Sequence, residues 1–228
     1  MSEGAERGLA GLSGRQGEAR RNDAKILAAA RAVFVDDPNA PIAAVAESAG
    51  VNIASLYRRF ASKEDVLRRL CHDGLKTYLE IVRRAVEALD ALDHEQGRPW
   101  DTFVIFMEEI VAADTLALTT KLAGRFRPTP EMLANAAEAF ALNQRLVDIT
   151  QAAGVLRDDV VPLDLSVVFE QISSLRAPTP DRVAELRARY LALHLDALRA
   201  PGRTPLPGPA PTDEEFHARW ETPPRRRR

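Results

Sequence analysis

A short segment between positions 52 and 59 collects side chains that can contact a nucleic acid. Tyrosine and arginine side chains reach phosphates or the edges of bases, and small side chains allow a close approach to the major groove of DNA. The candidates are Asn52, Ile53, Ala54, Ser55, Tyr57, Arg58 and Arg59. This set favours a DNA-binding surface, provided that the surrounding chain points these side chains outward.

The residues around this segment, 41–60, predict two short helices joined by a tight turn. Gly50 supplies the permissive backbone that lets the chain reverse. The two helices would share one apolar core, formed by Ile42, Val45, Ala46, Ala49, Val51, Leu56 and Phe60. The pattern is that of a helix-turn-helix, whose second helix presents the candidate contacts.

Flanking signals predict one more helix on each side of this motif. Apolar residues recur at helical spacing from about Asn22 to Val35, and the segment Asp36–Asn39 ends that helix. Ser62 stands three residues before Asp65 and ahead of an apolar pattern, which predicts a new helix from about Lys63. Three helices and the start of a fourth make a small DNA-binding head.

The charge of the chain must be concentrated locally if the head binds DNA. The net charge is −2, which gives no global attraction to nucleic acid. Any affinity must therefore come from a basic patch on the head. Its members would be Arg20, Arg21, Lys25, Arg58, Arg59 and Lys63. We expect Arg21 and Lys63 to contact DNA together with the segment 52–59.

Four short motifs in the head occur in a recognisable order and spacing. They are Val45-Ala46, Ala49-Gly50-Val51-Asn52, Leu56-Tyr57-Arg58-Arg59-Phe60 and Lys63-Glu64. With them, the chain from about Arg21 to Leu70 resembles the TetR family of bacterial transcriptional regulators. Three departures bear on the operator sequence: Asn52 replaces the usual Ser, Ala54-Ser55 replaces Gly-Thr, and Ala40-Pro41 stands where a phosphate-binding Thr commonly opens the second helix.

The resemblance implies an all-α protein with an N-terminal helix-turn-helix head, a long connecting helix and a C-terminal bundle for ligand binding and dimerisation. The expected domains are a disordered arm over 1–20, the DNA-binding head over 21–68, the effector-binding and dimerisation body over 69–200, and a Pro-rich tail over 201–228. The expected partners are a double-stranded DNA operator, a small-molecule effector of unknown identity and a second copy of the chain.

Helical periodicity continues through the body, and no hairpin signal appears. The fourth helix should reach about Leu92, and a fifth should follow Pro99. A shorter helix is predicted from Leu116 to Arg125. Two Thr-Pro-acid sequences, each a helix start signal, open at Thr129 and Thr179. The remaining helix is predicted over Asp164 to Ser174.

The body's large apolar residues have two possible roles. They can simply form a packed core, or they can line the effector pocket that the resemblance implies. The pocket candidates are Tyr78, Phe103, Phe106, Met107, Ile110, Phe126, Phe140, Asn143, Gln144 and Phe169. Along the helix that opens at Thr129, we expect Leu133, Ala137, Phe140, Gln144 and Val147 to follow the inward face, with Asn143 beside it. Two amides would then enter an apolar space, where each needs a hydrogen-bonding partner.

Two apolar stripes near the end of the body fit either packing within the chain or the dimer interface that the resemblance implies. One stripe is Leu165, Val168, Phe169 and Ile172, and the other is Val183, Leu186, Tyr190, Leu193 and Ala197. A four-helix interface between two copies would bury both. Two-fold symmetry would then place two recognition helices on one face of DNA, which predicts a palindromic operator.

Other functional classes find little support in the sequence. It has no Gly-rich phosphate loop, no nucleophile elbow and no histidine pair at metal-ligand spacing, so we expect neither an enzyme nor a metal or cofactor site. No apolar run approaches the roughly 20 residues that span a bilayer, and Met1–Arg21 is unlike a secretory signal, so a cytoplasmic protein is expected. The single cysteine, Cys71, is interpreted as a packing residue.

The tail contains five prolines between Pro201 and Pro211 and is expected to be an extended arm. Phe216 and Trp220 are expected to dock on the body, and the terminal Arg225–Arg228 is expected to be solvated rather than bound to DNA phosphates.

A ligand-responsive repressor is the function that these expectations describe together. In that interpretation, tilting of the fourth helix changes the separation of the two heads. A transcriptional activator and a ligand-independent DNA-binding dimer are the alternatives.

Overall fold

A computed structural model describes residues 21–92, 98–114, 122, 124–201 and 204–218. Every named element within these ranges is a helix, and their one β contact is an isolated bridge between Leu156 and Arg199. The all-α expectation is therefore confirmed. None of the described helices is long and apolar enough to cross a membrane.

The helices follow the order expected from the sequence. The first, α1, covers residues 21–36. The others are α2 Ile42–Ala49, α3 Ile53–Tyr57, α4 Lys63–Asp90, α5 Pro99–Ala113, α6 Pro130–Ala152, α7 Pro162–Ser173, α8 Pro180–Leu198 and α9 Asp213–Ala218. The chain divides into two compact units, Met1–Leu70 and Cys71–Arg228.

The first unit is built on a small apolar core. The fully buried side chains include Ile26, Phe34 and Leu56, which come from α1 and α3. Gly50 ends α2 with φ +62°, and the next amide, of Val51, donates to the carbonyl oxygen of Ala46 at 2.9 Å. This left-handed glycine turn sets the direction in which α3 leaves α2.

The start of α4 uses the signal that its sequence predicts. The amide of Asp65 donates to the hydroxyl of Ser62 at 3.1 Å, and that hydroxyl donates to the Asp65 carboxylate at 2.9 Å. The Asp65 amide, one of those that the first turn of a helix leaves unpaired, is satisfied in this way. The helix then continues without interruption for 28 residues, from Lys63 to Asp90.

Thr-Pro start signals operate at two body helices. The hydroxyl of Thr129 accepts from the amide of Met132, and that of Thr179 accepts from the amide of Arg182, both at 3.2 Å. The helix predicted from Asp164 begins earlier, at Pro162. A proline fits the first helical turn, and the Asp164 carboxylate accepts from the preceding amide of Val161 at 2.9 Å.

The second unit has its core between α4, α5, α6, α7 and α8. Phe106 lies at its centre, with ring centroids 6.5 Å from Tyr78 and 6.1 Å from Phe169, both in edge-to-face arrangements. Cys71 is buried, as a packing residue should be.

Two predicted helix faces are wrong. On α6 the buried side chains are Met132, Ala139, Asn143, Leu146, Val147 and Thr150, whereas Leu133 is 60% and Phe140 is 41% exposed. On α7, Leu165, Phe169 and Ile172 pack into the core of their own chain, so they are not an interface stripe. Both helices carry apolar residues on more than one side, and packing against neighbouring helices selects the buried side.

Several expectations lie outside the described residues. They concern the arm over 1–20, most of the helix predicted from Leu116 to Arg125, the docking of Trp220 and the terminal arginines. Within the described part of the tail, Phe216 is half-buried on the short helix α9.

One ion pair fixes the start of the tail. Arg157 pairs with Asp159 at 2.8 Å and donates to the carbonyl oxygen of Thr204 at 2.7 Å. The Asp159 carboxylate accepts from the amide of Leu206 at 3.0 Å. These bonds hold the pKa of Asp159 well below its ordinary value, chiefly because the Arg157 guanidinium donates to it.

Candidate functional site

The outer face of α3 carries most of the predicted DNA contacts. Leu56 anchors this helix in the core of the first unit, where its side chain is fully buried. The opposite side presents Ile53 and Tyr57, one helical turn apart, with 42% and 47% of their surfaces exposed. Ala54 beside them is also exposed. The helix is therefore oriented as the sequence predicts.

Asn52 has a defined local role at the start of α3. Its side-chain oxygen accepts a hydrogen bond from the amide of Ala54 at 2.8 Å. Asparagine is a favourable residue at this position because it satisfies an amide that the helix leaves unpaired. The departure from the family's usual Ser thus keeps the capping function.

The two arginines after Tyr57 differ in their surroundings. Arg58 is exposed and donates to the hydroxyl of Ser55 at 2.7 Å. Arg59 pairs with Asp23 on α1 at 3.0 Å, and a third of its side chain is exposed. Arg58 therefore offers most of its donors to a ligand, while Arg59 shares its charge with a carboxylate inside the same unit.

Lys63, which the sequence predicts to contact DNA, makes several contacts within the head. Its ammonium donates to the carbonyl oxygens of Ala40 and Pro38, at 2.7 Å and 3.3 Å. It also lies 5.0 Å from the centre of the Phe34 ring. These contacts give Lys63 a structural role in the head, and its contact with a phosphate stays a prediction. Arg21, in contrast, is exposed on α1.

In the second unit, a buried polar pair joins α4 to α6. The hydroxyl of Tyr78 donates to the side-chain oxygen of Asn143 at 2.9 Å. Burial raises the pKa of Tyr78 above its ordinary value, because the phenolate would lose its hydration, and the hydrogen bond with Asn143 only partly offsets this effect. The phenol is therefore neutral and remains a donor at physiological pH.

The other pocket candidates separate into two groups. Six are buried: Phe103, Phe106, Met107, Ile110, Phe126 and Phe169. Phe140 and Gln144 are exposed, and the Gln144 amide donates to Asp148 on the same face of α6 at 2.8 Å. Placing these two residues on the inward face was wrong, because the face that carries Asn143 is the one that packs inward.

Comparison with known proteins agrees with the head geometry. Residues 26–70 match the family model described as "Bacterial regulatory proteins, tetR family". Over these head residues the chain matches the TetR family. The head is accordingly that of a DNA-binding transcriptional regulator, and α3 is the second helix of its helix-turn-helix. No curated protein sequence matches the chain.

Solved structures share the fold of the chain over most of its length. The regulator PfmR from Thermus thermophilus is 20% identical, with a TM-score of 0.55, over 78% of this chain and 98% of that one. The TetR-like regulator LfrR from Mycobacterium smegmatis, solved in complex with proflavine, is 18% identical, with a TM-score of 0.51, over 82% of this chain and 99% of that one.

Two side-chain contacts near the outer face of α3 differ in whether the sequence could predict them. Ser55 and Arg58 are three apart on a helix, a spacing at which side chains meet, so their hydrogen bond could have been anticipated. The Asp23–Arg59 pair spans 36 positions and carries no local signal.

Proposed function

We propose that the chain is a ligand-responsive repressor that acts as a homodimer on a palindromic operator. The observation that carries the proposal is the outer face of α3, where Ile53, Tyr57 and Arg58 are exposed above the fully buried Leu56. A helix held by one side and exposed on the other fits the major groove of DNA.

In this proposal some exposed residues of the head contact DNA phosphates and others contact the major groove. Arg58 and Arg21 contact phosphates and fix the position of the protein on the duplex, because a guanidinium can donate two hydrogen bonds to one phosphate. Asn52, Ile53, Ala54, Ser55 and Tyr57 lie against the groove. Arg59 contributes charge from its pair with Asp23.

The second copy is proposed to dock on the exposed side of α8. Tyr190 is 41% and Leu193 is 55% exposed on this helix, with Val183 and Leu186 half-buried along the same stripe. Leu191, Leu195 and Leu198 face the core of the chain itself. A helix with apolar residues on both sides can bury the outer side in a two-fold interface.

The effector site is proposed within the second unit, around the Tyr78–Asn143 pair. The Tyr78 phenol and the Asn143 amide meet beside a core of aromatic and aliphatic side chains. Ligand sites combine apolar walls with a few such groups. The relative LfrR binds proflavine, a small aromatic molecule, which is consistent with a site of this kind.

Repression and release are proposed to correspond to two states of the dimer. One state fits the operator, and an effector that binds the other state more tightly shifts the population away from DNA. The helix α4 carries Lys63 in the first unit and Tyr78 in the second. Movement of this one helix can therefore connect effector binding with the position of the head.

No catalytic role or membrane association is part of this proposal, and the protein is proposed to act in the cytoplasm. The same contacts would serve an activator, because the position of the operator relative to the promoter decides between the two. A ligand-independent DNA-binding dimer remains the competing mechanism if no small molecule affects DNA binding.

Fluorescence anisotropy can test the proposal with DNA from upstream of the protein's own gene and a shuffled fragment of equal length, each titrated at several salt concentrations. We expect tighter binding to the native fragment that persists as salt rises, whereas non-specific binding falls steeply. Arg58→Ala and Tyr57→Ala should each weaken specific binding by roughly 1–3 kcal/mol. Equal binding of both fragments by the wild type, or full affinity in both variants, would count against this assignment.

A further inference from the structure

The exposed apolar surface of the described head is concentrated on α3. Among residues 21–70, the large hydrophobic side chains that are exposed are Ile53 and Tyr57. The phenol of Tyr57 can donate and accept hydrogen bonds, but Ile53 has no polar group. A DNA group that contacts Ile53 must therefore be apolar, unlike a phosphate or a base amide.

The polar neighbours of Ile53 are engaged within the head. The side-chain oxygen of Asn52 faces the amide of Ala54, so the two-bond pairing of an asparagine with adenine would compete with the helix cap. The hydroxyl of Ser55 accepts from Arg58 at 2.7 Å. The start of α3 thus presents mainly the apolar side chains of Ile53 and Ala54 outward.

We infer that Ile53 reads the C5-methyl group of a thymine in each operator half-site. This methyl is the apolar group that distinguishes thymine in the major groove. Contact between it and Ile53 removes two apolar surfaces from water, whereas a cytosine would place its polar amino edge there without the methyl. The inference rests on the proposed placement of α3 in the groove, and it adds the base feature that the helix reads.

The side chains on either side of Ile53 suit this contact. Ala54 is small and exposed, so the backbone of α3 can approach the base edges closely. Isoleucine is branched at Cβ and has few rotamers in a helix, so its methyl groups lose little freedom when they meet the thymine. A preorganised apolar contact of this kind distinguishes thymine from a base that lacks the methyl group.

A methyl-deletion experiment tests the inference directly. The probe is the duplex that the wild-type protein enriches most strongly from a random-sequence DNA library. Each thymine is replaced in turn by deoxyuridine, which lacks only the methyl group. At one position per half-site we expect this replacement to lower wild-type affinity about fourfold. That factor corresponds to the free energy of burying one methylene-sized group. The same replacement should leave the affinity of Ile53→Ala unchanged, while Ile53→Val should keep most of the wild-type response.

Ile105→Ala is the matched control, because Ile105 is 54% exposed on α5 in the other unit. This variant should respond to deoxyuridine as the wild type does. The wild type could enrich one sequence in which no thymine shows a methyl effect that depends on residue 53. That result would overturn the inference and leave the proposed function standing. Failure of the wild type to enrich any sequence would count against both. Circular dichroism of Ile53→Ala and Ile53→Val confirms that the compared proteins are folded.

Discussion

The side-chain ammonium of Lys63 donates to the carbonyl oxygen of Ala40 at a distance of 2.7 Å. Ala40 lies in the connection between α1 and α2, and Lys63 is the first residue of α4. One side chain thus ties the start of the long helix to the segment that precedes the helix-turn-helix. The Lys-Glu motif of the head consequently has a role in folding that is separate from contact with DNA.

Replacing this lysine separates the two roles. In Lys63→Met the methylene groups remain but the carbonyl of Ala40 loses a charged donor. We expect the free energy of unfolding to fall by about 1.5–3 kcal/mol, the range for hydrogen bonds to charged groups. The slope of log affinity against log salt should stay unchanged, because no phosphate contact is lost. Chemical denaturation and anisotropy titrations at several salt concentrations measure the two quantities.

Lys76→Met provides the control for this change, since Lys76 is exposed on the same helix. Its stability should match that of the wild type. A salt slope reduced by about one in Lys63→Met, with stability intact, would restore the phosphate contact that the sequence suggested.

Local signals explain which parts of the fold could be predicted. The starts of α4, α6 and α8 are encoded by Ser62, Thr129 and Thr179, each within three residues of the group it caps, so the sequence alone locates them. The turn at Gly50 is equally local. The orientation of α3 could be predicted for the same reason, because its one buried residue, Leu56, lies beside its exposed residues in one short segment.

Faces of the body helices could not be predicted in this way. On α6, Leu133 and Met132 are adjacent, and each begins an apolar stripe at helical spacing. The buried stripe packs against distant helices and includes Asn143, which bonds Tyr78, 65 positions earlier in the chain. The structural role of Lys63 likewise depends on a carbonyl 23 positions away. Contacts at such separations leave no periodic trace in the sequence.

The exposed stripe on α8 leads to a prediction about the dimer. Leu193→Glu places a carboxylate in the proposed interface, and an unpaired buried charge costs about 3 kcal/mol or more. We therefore expect the dimer dissociation constant to rise about 100-fold or more. Sedimentation velocity over a range of protein concentrations measures this change.

Leu133→Glu is the matched control, because Leu133 is even more exposed than Leu193 and lies on α6. It should sediment as the wild type does. Equal dimerisation in Leu193→Glu and the wild type would mean that this part of α8 is not the interface.

The Tyr78–Asn143 hydrogen bond predicts a non-additive pair of substitutions. Tyr78→Phe leaves the buried Asn143 oxygen without its donor, which should lower the free energy of unfolding by about 1–3 kcal/mol. Asn143→Leu should have a similar cost because it leaves the Tyr78 hydroxyl unpaired. The double variant removes both polar groups and should be more stable than the sum of the single effects predicts. Additive effects in chemical denaturation would show that the two residues are not coupled.

Burial of Tyr78 also predicts a response at high pH. Its pKa is raised in the folded protein, so its contribution to stability is complete below the ordinary tyrosine pKa and declines as pH rises above it. Wild-type stability should therefore fall more than that of Tyr78→Phe on alkaline titration. Denaturation midpoints measured across that range provide the test, and parallel curves for the two proteins would contradict it.

The Arg157–Asp159 pair predicts that the start of the tail loosens in acid. The pKa of Asp159 is lowered in the folded chain, so its contribution is fully present above the ordinary aspartate pKa and is lost as pH falls below it. Over that acid range, the Leu206 amide, which donates to Asp159, should lose protection from hydrogen exchange after correction for the intrinsic rate. Asp159→Asn should show reduced protection even at neutral pH, because the charge that holds Arg157 is gone. Asp158→Asn removes the same charge from the neighbouring exposed residue and should retain wild-type protection. If the Leu206 amide is equally protected from hydrogen exchange in the two variants, the tail is held by contacts other than this ion pair.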